Sequence, residues 1–238
     1  MIQPLLTIRT LDAGDTDDST WPALTPEGQL RLADGEVTRW RARATVSEAR
    51  PNPARGTQLE DVWKLPEPAD IVITDRRLAF TCRKFEKGSV WFGTGVAALA
   101  LTGASALLAA GKRRGRIAAG QVRFEWPRDV TLQTLRLLGR PAGVLLVTCG
   151  NGDLLTRLMI TITAGVTGFE PDRIAGDVAK GLVADIARFR LAMQGNHLAP
   201  DEAERLSAQA VDPAATMRGS AFVFELPGAL PMGAASNT

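Results

Sequence analysis

Several arginines stand in this sequence where their side chains would bind phosphate. Arg39, Arg41 and Arg43 alternate with apolar residues, which places all three on one face of an extended strand. A guanidinium group binds phosphate oxygens through paired hydrogen bonds. The arginine stripe is therefore a candidate anion site. The same pattern also fits a solvated strand face whose cations pair with acidic residues on neighbouring strands.

Two further groups of basic residues extend this candidate site. One group stands in the turn of a predicted hairpin, and the other follows an apolar segment. The two groups are Arg76 with Arg77, and Lys112, Arg113, Arg114 and Arg116. Basic clusters beside an apolar segment are typical of proteins that contact anionic lipid. A solvated helix end, where cations favour the helix dipole, is the alternative interpretation of residues 112–116.

The apolar segment itself, residues 88–111, contains no charged side chain. It is long enough to cross a hydrocarbon core of about 30 Å, but it is rich in Ala, Gly, Ser and Thr, which favour lipid weakly. We therefore expect a helical insertion that does not span the membrane. Three interpretations remain: a helix packed on its own domain, a segment in the membrane interface with Trp91 as an anchor, and a self-association surface built on Gly95, Gly103 and Gly111.

The residues that usually carry catalysis are scarce. The chain has one histidine, no tyrosine and two cysteines, and His197 follows the last predicted helix in a Gly-Asn-His segment. The usual acid–base residue is thus nearly absent, and two distant cysteines with one histidine cannot build a zinc site. Asp70 and Asp75 are expected to be turn or strand-end residues. We predict a non-enzymatic protein without cofactor or metal, in which Cys82 and Cys149 are buried and reduced.

The elements that must position the arginines are short strands followed by one helix. Alternating or β-branched runs predict strands at residues 40–46, 59–65, 70–74, 78–82, 121–126, 132–138, 143–149 and 154–163. Pro171-Asp172 then opens an amphipathic helix that should end near residues 191–193. Repeated short strands separated by turns predict an antiparallel sheet or barrel, so the fold class is α+β.

Two short motifs resemble those of a known family. Gly35-Glu36-Val37 opens the first strand, and Ile73-Thr74-Asp75-Arg76-Arg77-Leu78-Ala79-Phe80 forms the hairpin. Both are similar to the pattern of GRAM and bacterial pleckstrin-homology-like (PH-like) domains, over roughly residues 35–192. The resemblance implies an antiparallel PH-like β-barrel or sandwich capped by the C-terminal helix. It also implies that the opening strands lie near an anionic headgroup site.

These observations divide the chain into three parts. We expect an irregular acidic arm over residues 1–34, a PH-like domain over 35–192 that contains the insertion 88–116, and a partly flexible tail over 193–238. A short apolar piece near Phe222 and Phe224 is a candidate edge strand in that tail.

The charge distribution and the insertion suggest the function. Residues 36–128 carry a basic excess although the whole chain is only +2, which favours an anionic partner. The leading hypothesis is a cytoplasmic adaptor that binds the anionic inner surface of the membrane, because no signal-peptide pattern is seen at the start. The alternative is a protein-interaction or scaffold domain that forms a homo-oligomer through its insertion. Nucleic-acid binding ranks third, since no recognised module accompanies the arginines.

Overall fold

The fold is built mainly of antiparallel strands. The computed structural model describes residues 9–11, 14, 21–51, 59–65, 67–83, 117–137, 140–151, 154–163, 171–216 and 222–231. Its strands are β1 (Arg9–Leu11), β2 (Thr38–Pro51), β3 (Leu59–Lys64), β4 (Ala69–Thr74), β5 (Arg77–Cys82), β6 (Ile117–Arg123), β7 (Pro127–Leu137), β8 (Arg140–Asn151), β9 (Leu154–Thr163) and β10 (Val223–Glu225). Its α-helices are α1 (Pro171–Gln194) and α2 (Pro200–Val211).

One long strand, β2, joins two sheet halves. Its first part, Thr38 to Ala44, pairs with β4, and its later part, Thr45 to Ala49, pairs with β9. The complete order is β1-β6-β5-β4-β2-β9-β8-β7-β10, with β3 paired to the end of β2. The pairs between these strands are antiparallel, and a short turn joins the neighbours β4 and β5.

The sheet is open, so of the predicted alternatives, a barrel or a sandwich, the barrel is wrong. Strands β6 and β7 follow each other along the chain, yet they belong to opposite sheet halves and no pairing between them closes the ring in the described ranges. Phe124 to Trp126 form a buried turn between them. The alternation of Val122, Phe124 and Trp126 predicted one strand through this point. All three side chains are buried, but the chain turns here to reach the second half.

The described parts of the N-terminal arm pack against the first sheet half. Strand β1 pairs with the outer edge of β6, and residues 21–30 pack on the outer face of the first sheet half. There Leu24 is buried with Ile117 and Ala119, and Leu30 with Val72 and Ala79. Residues 21–30 pack there because β4 to β6 carry apolar residues on both faces, so the outer face must also be covered from water.

Helix α1 packs on β7, β8 and β9, and its buried face follows the amphipathic pattern that the sequence predicted. Its residues Ala175, Val178, Leu182 and Ile186 are buried in the main hydrophobic cluster. These side chains recur every three or four positions and therefore form one continuous apolar face. Cys82 and Cys149 are buried and free in the same core.

The C-terminal tail forms a second helix and an edge strand. Helix α2, which the sequence analysis did not predict, packs on α1 with Leu206 buried. After a single 3-10 turn at Pro213–Thr216, β10 pairs with the edge of β7. This confirms that the apolar piece near Phe224 adds an edge strand. The two outer strands of the sheet order, β1 and β10, are thus terminal segments that cover the edges of β6 and β7.

Candidate functional site: an arginine-rimmed cleft

A cleft of about 560 Å³ lies where four elements meet. These elements are the approach to β2, the turn between β4 and β5, the turn between β6 and β7, and the last turns of α1. The cleft is lined mainly by charged side chains, and α1 adds the apolar wall Phe189, Ala192 and Met193. The contacts among the charged residues determine what the cleft can bind.

The floor of the cleft is a buried ion pair between the two motifs singled out in the sequence. Arg77 donates from Nε to Glu36 Oε1 and from Nη2 to Glu36 Oε2, both at 2.8 Å. Arg77 also donates to Gln121 Oε1 at 2.9 Å and to the Arg31 carbonyl at 3.0 Å. Thr74 Oγ1 donates to Glu36 Oε1 at 2.7 Å. Both charges are therefore hydrogen-bonded on several sides, which offsets much of the cost of burying them.

These hydrogen bonds also set the ionisation of Glu36. Burial by itself raises the pKa of a carboxyl group, because it disfavours the charged form. Hydrogen bonds from Arg77, the Ala33 amide and Thr74, together with the Arg77 charge, outweigh burial and lower the pKa of Glu36 below its ordinary value. Glu36 is thus a stably ionised structural carboxylate.

The hairpin turn is held against the start of β2 by its own polar groups. Asp75 Oδ1 accepts a hydrogen bond from the Val37 amide at 3.0 Å, and the Asp75 amide donates to the Val37 carbonyl at 3.0 Å. Arg76 Nη2 donates to the Asp34 carbonyl at 3.2 Å. Gly35 adopts a positive φ of 71° just before this point, a backbone conformation that glycine takes at little cost. The turn therefore places Arg76 at the edge of the cleft.

The exposed charges around the cleft are mainly positive. The side chains of Arg39, Arg123 and Arg188 are 50%, 38% and 57% exposed, and Arg76 is exposed as well. Their acidic partners are buried: the side chain of Asp185, which pairs with Arg39 and Arg188, is 9% exposed, and that of Glu125, which pairs with Arg123, is 3% exposed. A ligand that enters the cleft therefore meets guanidinium groups first.

Asp185 on α1 links two of these arginines. Its Oδ1 accepts a hydrogen bond from Arg188 Nη1 at 2.8 Å and lies 3.9 Å from Arg39 Nε. Burial raises the pKa of Asp185, and the two arginines only partly oppose that rise. Protonation of Asp185 would remove the negative charge that shields Arg39 and Arg188 from a ligand.

The predicted site residues separate into three groups. Arg39, Arg76 and Arg77 line the cleft, although Arg77 is buried in its floor. Arg43 instead pairs with Asp70 on the neighbouring strand at 3.5 Å, which agrees with the interpretation of a solvated strand face. Arg41 is exposed and lies opposite Val72 in the strand register. The third group, Trp91, Lys112, Arg113, Arg114 and Arg116, lies outside the described residues together with the rest of the insertion.

A β-bulge explains why the three strand arginines do not form one stripe. The register between β2 and β4 shifts between Thr38 and Trp40, so Arg39 leaves the regular alternation. Arg39 lies beside Asp185 on α1, whereas Arg43 lies beside Asp70 on the neighbouring strand β4.

Arg123, Arg188 and Asp185 were missed in the sequence analysis, because Arg123 ends β6 whereas Asp185 and Arg188 lie on α1, and no local pattern joins these two elements. The signal for Asp185 and Arg188 was that α1 carries charged residues next to its apolar face near its C-terminal end.

Comparison with protein-family models, curated proteins and solved structures finds no match to this chain. Among the helices in the described ranges, none has both the length and the apolar run needed to cross a membrane. Within the same ranges, no cluster of three or more His, Cys, Asp or Glu side chains is placed to hold a metal ion.

Proposed function

We propose that this chain is a non-enzymatic, cytoplasmic adaptor domain of PH-like architecture that binds an anionic membrane surface. The observation that carries the proposal is the arginine-rimmed cleft, in which exposed guanidinium groups from four elements stand above buried carboxylates. Such an arrangement attracts anions and holds phosphate oxygens through bidentate hydrogen bonds.

The strand order supports the PH-like part of the proposal. Strands β2, β4, β5 and β6 form one half, β7, β8 and β9 form the other, and α1 follows as the closing helix. The resemblance implied several antiparallel strands followed by one amphipathic helix, and this arrangement supports the proposal. The motif residues Glu36, Thr74 and Arg77 contact one another, so their role is to fix the approach to β2 against the hairpin.

The apolar wall of the cleft favours a lipid over a small inorganic anion. Met193 is 45% exposed and lines the cleft together with Phe189, Ala192 and the arginines. A membrane surface offers phosphate groups beside glycerol and acyl chains, which match cations beside apolar side chains. Each Arg or Lys near an anionic surface contributes on the order of 1 kcal/mol to binding.

Vesicle sedimentation tests the proposal directly. Full-length protein is mixed with neutral vesicles of phosphatidylcholine or with vesicles containing anionic phosphatidylserine. Wild type should sediment with the anionic vesicles, and Arg39→Gln, Arg76→Gln, Arg123→Gln and Arg188→Gln combined should abolish most of that binding. The matched control combines Arg41→Gln, Arg43→Gln, Arg157→Gln and Arg205→Gln, which removes the same charge away from the cleft.

Either of two outcomes would overturn the proposal: equal loss in both quadruple variants, or equal wild-type recovery from neutral and anionic vesicles. Protein that binds neither vesicle type would favour the protein-interaction alternative. A further variant, Lys112→Glu with Arg113→Glu and Arg114→Glu, measures what the insertion adds to the same binding.

A further inference from the structure

A carboxylate oxygen of Asp185 is open to a ligand. Oδ1 accepts a hydrogen bond from Arg188 Nη1 at 2.8 Å and lies 3.9 Å from Arg39 Nε, but no described residue donates to Oδ2. Oδ2 is not sealed inside the protein, and Asp185 lines the cleft. Because an ionised carboxylate only accepts hydrogen bonds, Oδ2 is a position for a donor that a ligand brings.

Two guanidinium groups at the rim keep unused donors. Arg39 Nε lies 3.9 Å from Asp185 Oδ1, and Arg123 Nε lies 3.7 Å from Glu125 Oε1. Both distances are too long for a hydrogen bond, and neither guanidinium group donates to another atom of the described ranges. Both groups therefore bind ligand oxygens without breaking a hydrogen bond of the protein.

The charge of the cleft limits the charge of the ligand. Its lining residues, all within the described ranges, include five arginines and four carboxylates, so its formal charge is +1 when every group is ionised. A ligand with one negative charge neutralises the cleft. A doubly charged ligand leaves an excess negative charge beside Asp185, which is unfavourable.

A singly protonated phosphomonoester meets these conditions. Its phosphate group carries one negative charge, two unprotonated oxygens that accept from guanidinium groups, and one P–OH that donates to a carboxylate. A phosphodiester or a sulfate ester also accepts from arginine, but its acidic group has no donor. It would place an anionic oxygen against the Asp185 carboxylate, so the cleft disfavours it through like-charge contact and an unpaired acceptor.

We propose that the cleft selects a phosphomonoester that carries a proton, with Asp185 as the specificity-determining acceptor. This selectivity rests on the proposed function, because the same arginines bind the phosphate group. A membrane lipid that ends in a phosphate, such as phosphatidic acid, offers this chemistry. A soluble phosphomonoester such as glycerol 3-phosphate offers it as well.

The proton on the ligand is shared with Asp185. A phosphomonoester loses its second proton with a pKa of about 6, so at pH 7.5 it is mostly doubly charged and its binding takes up a proton from solution. Burial and Asp75 in the β4–β5 turn raise the pKa of Asp185, against Arg39 on β2 and Arg188 on α1, so Asp185 holds a shared proton more strongly than an ordinary carboxylate. The other charged residues of the cleft are Glu36, Arg76, Arg77, Arg123 and Glu125.

Vesicle sedimentation of the full-length protein at pH 7 tests the selectivity. Phosphatidylcholine vesicles contain either phosphatidic acid or phosphatidylmethanol, a phosphodiester without a donor, in amounts that give equal zeta potential. Wild type should bind the phosphatidic acid vesicles about tenfold more tightly, the effect of one hydrogen bond to a charged group. Asp185→Asn should reduce this preference to about twofold or less, whereas Asp70→Asn, which changes the charge equally outside the cleft, should keep it.

Calorimetric titration with glycerol 3-phosphate measures the shared proton and distinguishes a soluble ligand from a lipid. At pH 7.5, in two buffers of different ionisation enthalpy, wild type should take up close to one proton per bound ligand. Asp185→Asn should take up almost none, because the cleft then accepts the doubly charged form. A residue with a merely structural role would not change this proton uptake.

The outcomes separate this selectivity from the proposed function. Equal wild-type binding to the two anionic vesicle types, a result that needs no variant, would overturn the selectivity and leave membrane binding intact. A preference or a proton uptake that Asp185→Asn leaves unchanged would overturn the role of Asp185. Proton-coupled binding of glycerol 3-phosphate without binding to either vesicle type would support the selectivity for a soluble ligand and overturn the membrane function.

Discussion

Glu36 and Arg77 stand 41 residues apart and form a bidentate ion pair at the floor of the cleft, with both N–O distances at 2.8 Å. Both side chains are almost completely buried. The pair connects the approach to β2 with the hairpin of β4 and β5, and it places Arg39 and Arg76 at the rim. The two motifs that carry the family resemblance are therefore one structural unit.

The first prediction concerns the stability that depends on this unit. Glu36→Gln leaves the Arg77 guanidinium buried without its counter-charge and should lower the free energy of unfolding by about 3–5 kcal/mol. Urea denaturation followed by circular dichroism measures this loss. The matched control is Asp70→Asn, which removes the exposed partner of Arg43 and should cost about 1 kcal/mol or less. Equal losses in the two variants would contradict the assigned role.

The second prediction concerns the pH dependence of folding. Against the effect of burial, hydrogen bonds lower the pKa of Glu36 below its ordinary value of 4.5. The contribution of Glu36 to stability is therefore fully present above that pH and is lost as the pH falls through the lower pKa of the folded state. The free energy of unfolding of wild type should approach that of Glu36→Gln as the pH is lowered from 7 to 3.

Asp185 changes the stability with pH in the opposite direction to Glu36. The effect of Glu36 is therefore measured as the difference in free energy of unfolding between wild type and Glu36→Gln. Burial raises the pKa of Asp185. The contribution of Asp185 to stability is therefore present below the ordinary pKa of a carboxyl group, and it is lost as the pH rises through the higher pKa of the folded state. This effect is common to wild type and Glu36→Gln and cancels between them. Parallel stability curves over the whole acid range would show that Glu36 does not carry the predicted shift.

The third prediction concerns ligand binding. Asp185→Asn removes the carboxylate that pairs with Arg188 and Arg39, so both guanidinium groups become available to an anion. We expect several-fold tighter binding to anionic vesicles at pH 7. The difference from wild type should shrink as the pH falls, because Asp185 then becomes protonated in wild type. Asp70→Asn changes the charge equally outside the cleft, and a similar gain in that variant would argue for a nonspecific effect.

The fourth prediction concerns Arg190, which is fully buried without an acidic partner in its hydrogen bonds. Besides the carbonyls of Leu226 and Pro227, it donates to the carbonyls of Phe124 at 3.0 Å, Glu125 at 3.3 Å and Pro127 at 2.5 Å. Burial lowers the pKa of Arg190 to about 10, so the group remains charged at neutral pH. It joins α1, the β6–β7 turn and the C-terminal segment.

Arg190→Met should therefore lower the free energy of unfolding by at least about 3 kcal/mol, since buried carbonyls lose their donor. It should also increase hydrogen exchange in residues 223–226 relative to wild type. Arg205→Met, which removes an exposed ion pair to Glu225, should cost about 1 kcal/mol or less. Unchanged exchange in the C-terminal segment of Arg190→Met would show that Arg190 does not hold that segment.

The local elements of this fold could be predicted because their signals are local. Alternation predicted β2, the Ile71-Val72-Ile73 run predicted β4, turn sequences delimited β9, and apolar spacing predicted α1. Each pattern depends only on residues a few positions apart. The same Ile71-Val72-Ile73 run, apolar at every position, also contained the signal that both faces of the first sheet half are covered. Periodicity does not say what covers them, so the packing of Leu24 and Leu30 was missed.

The sequence by itself determined the α+β class, most of the strands and the closing helix, together with the basic character of the middle of the chain. Only the tertiary structure decided which arginines meet, because the pairing of Arg39 with Asp185 and of Arg77 with Glu36 joins distant segments through the sheet order. It also decided which charges are exposed, since burial of Arg77 and Arg190 depends on the packing of four elements around them. Local pattern and charge specify the elements, whereas long-range packing assembles the cleft.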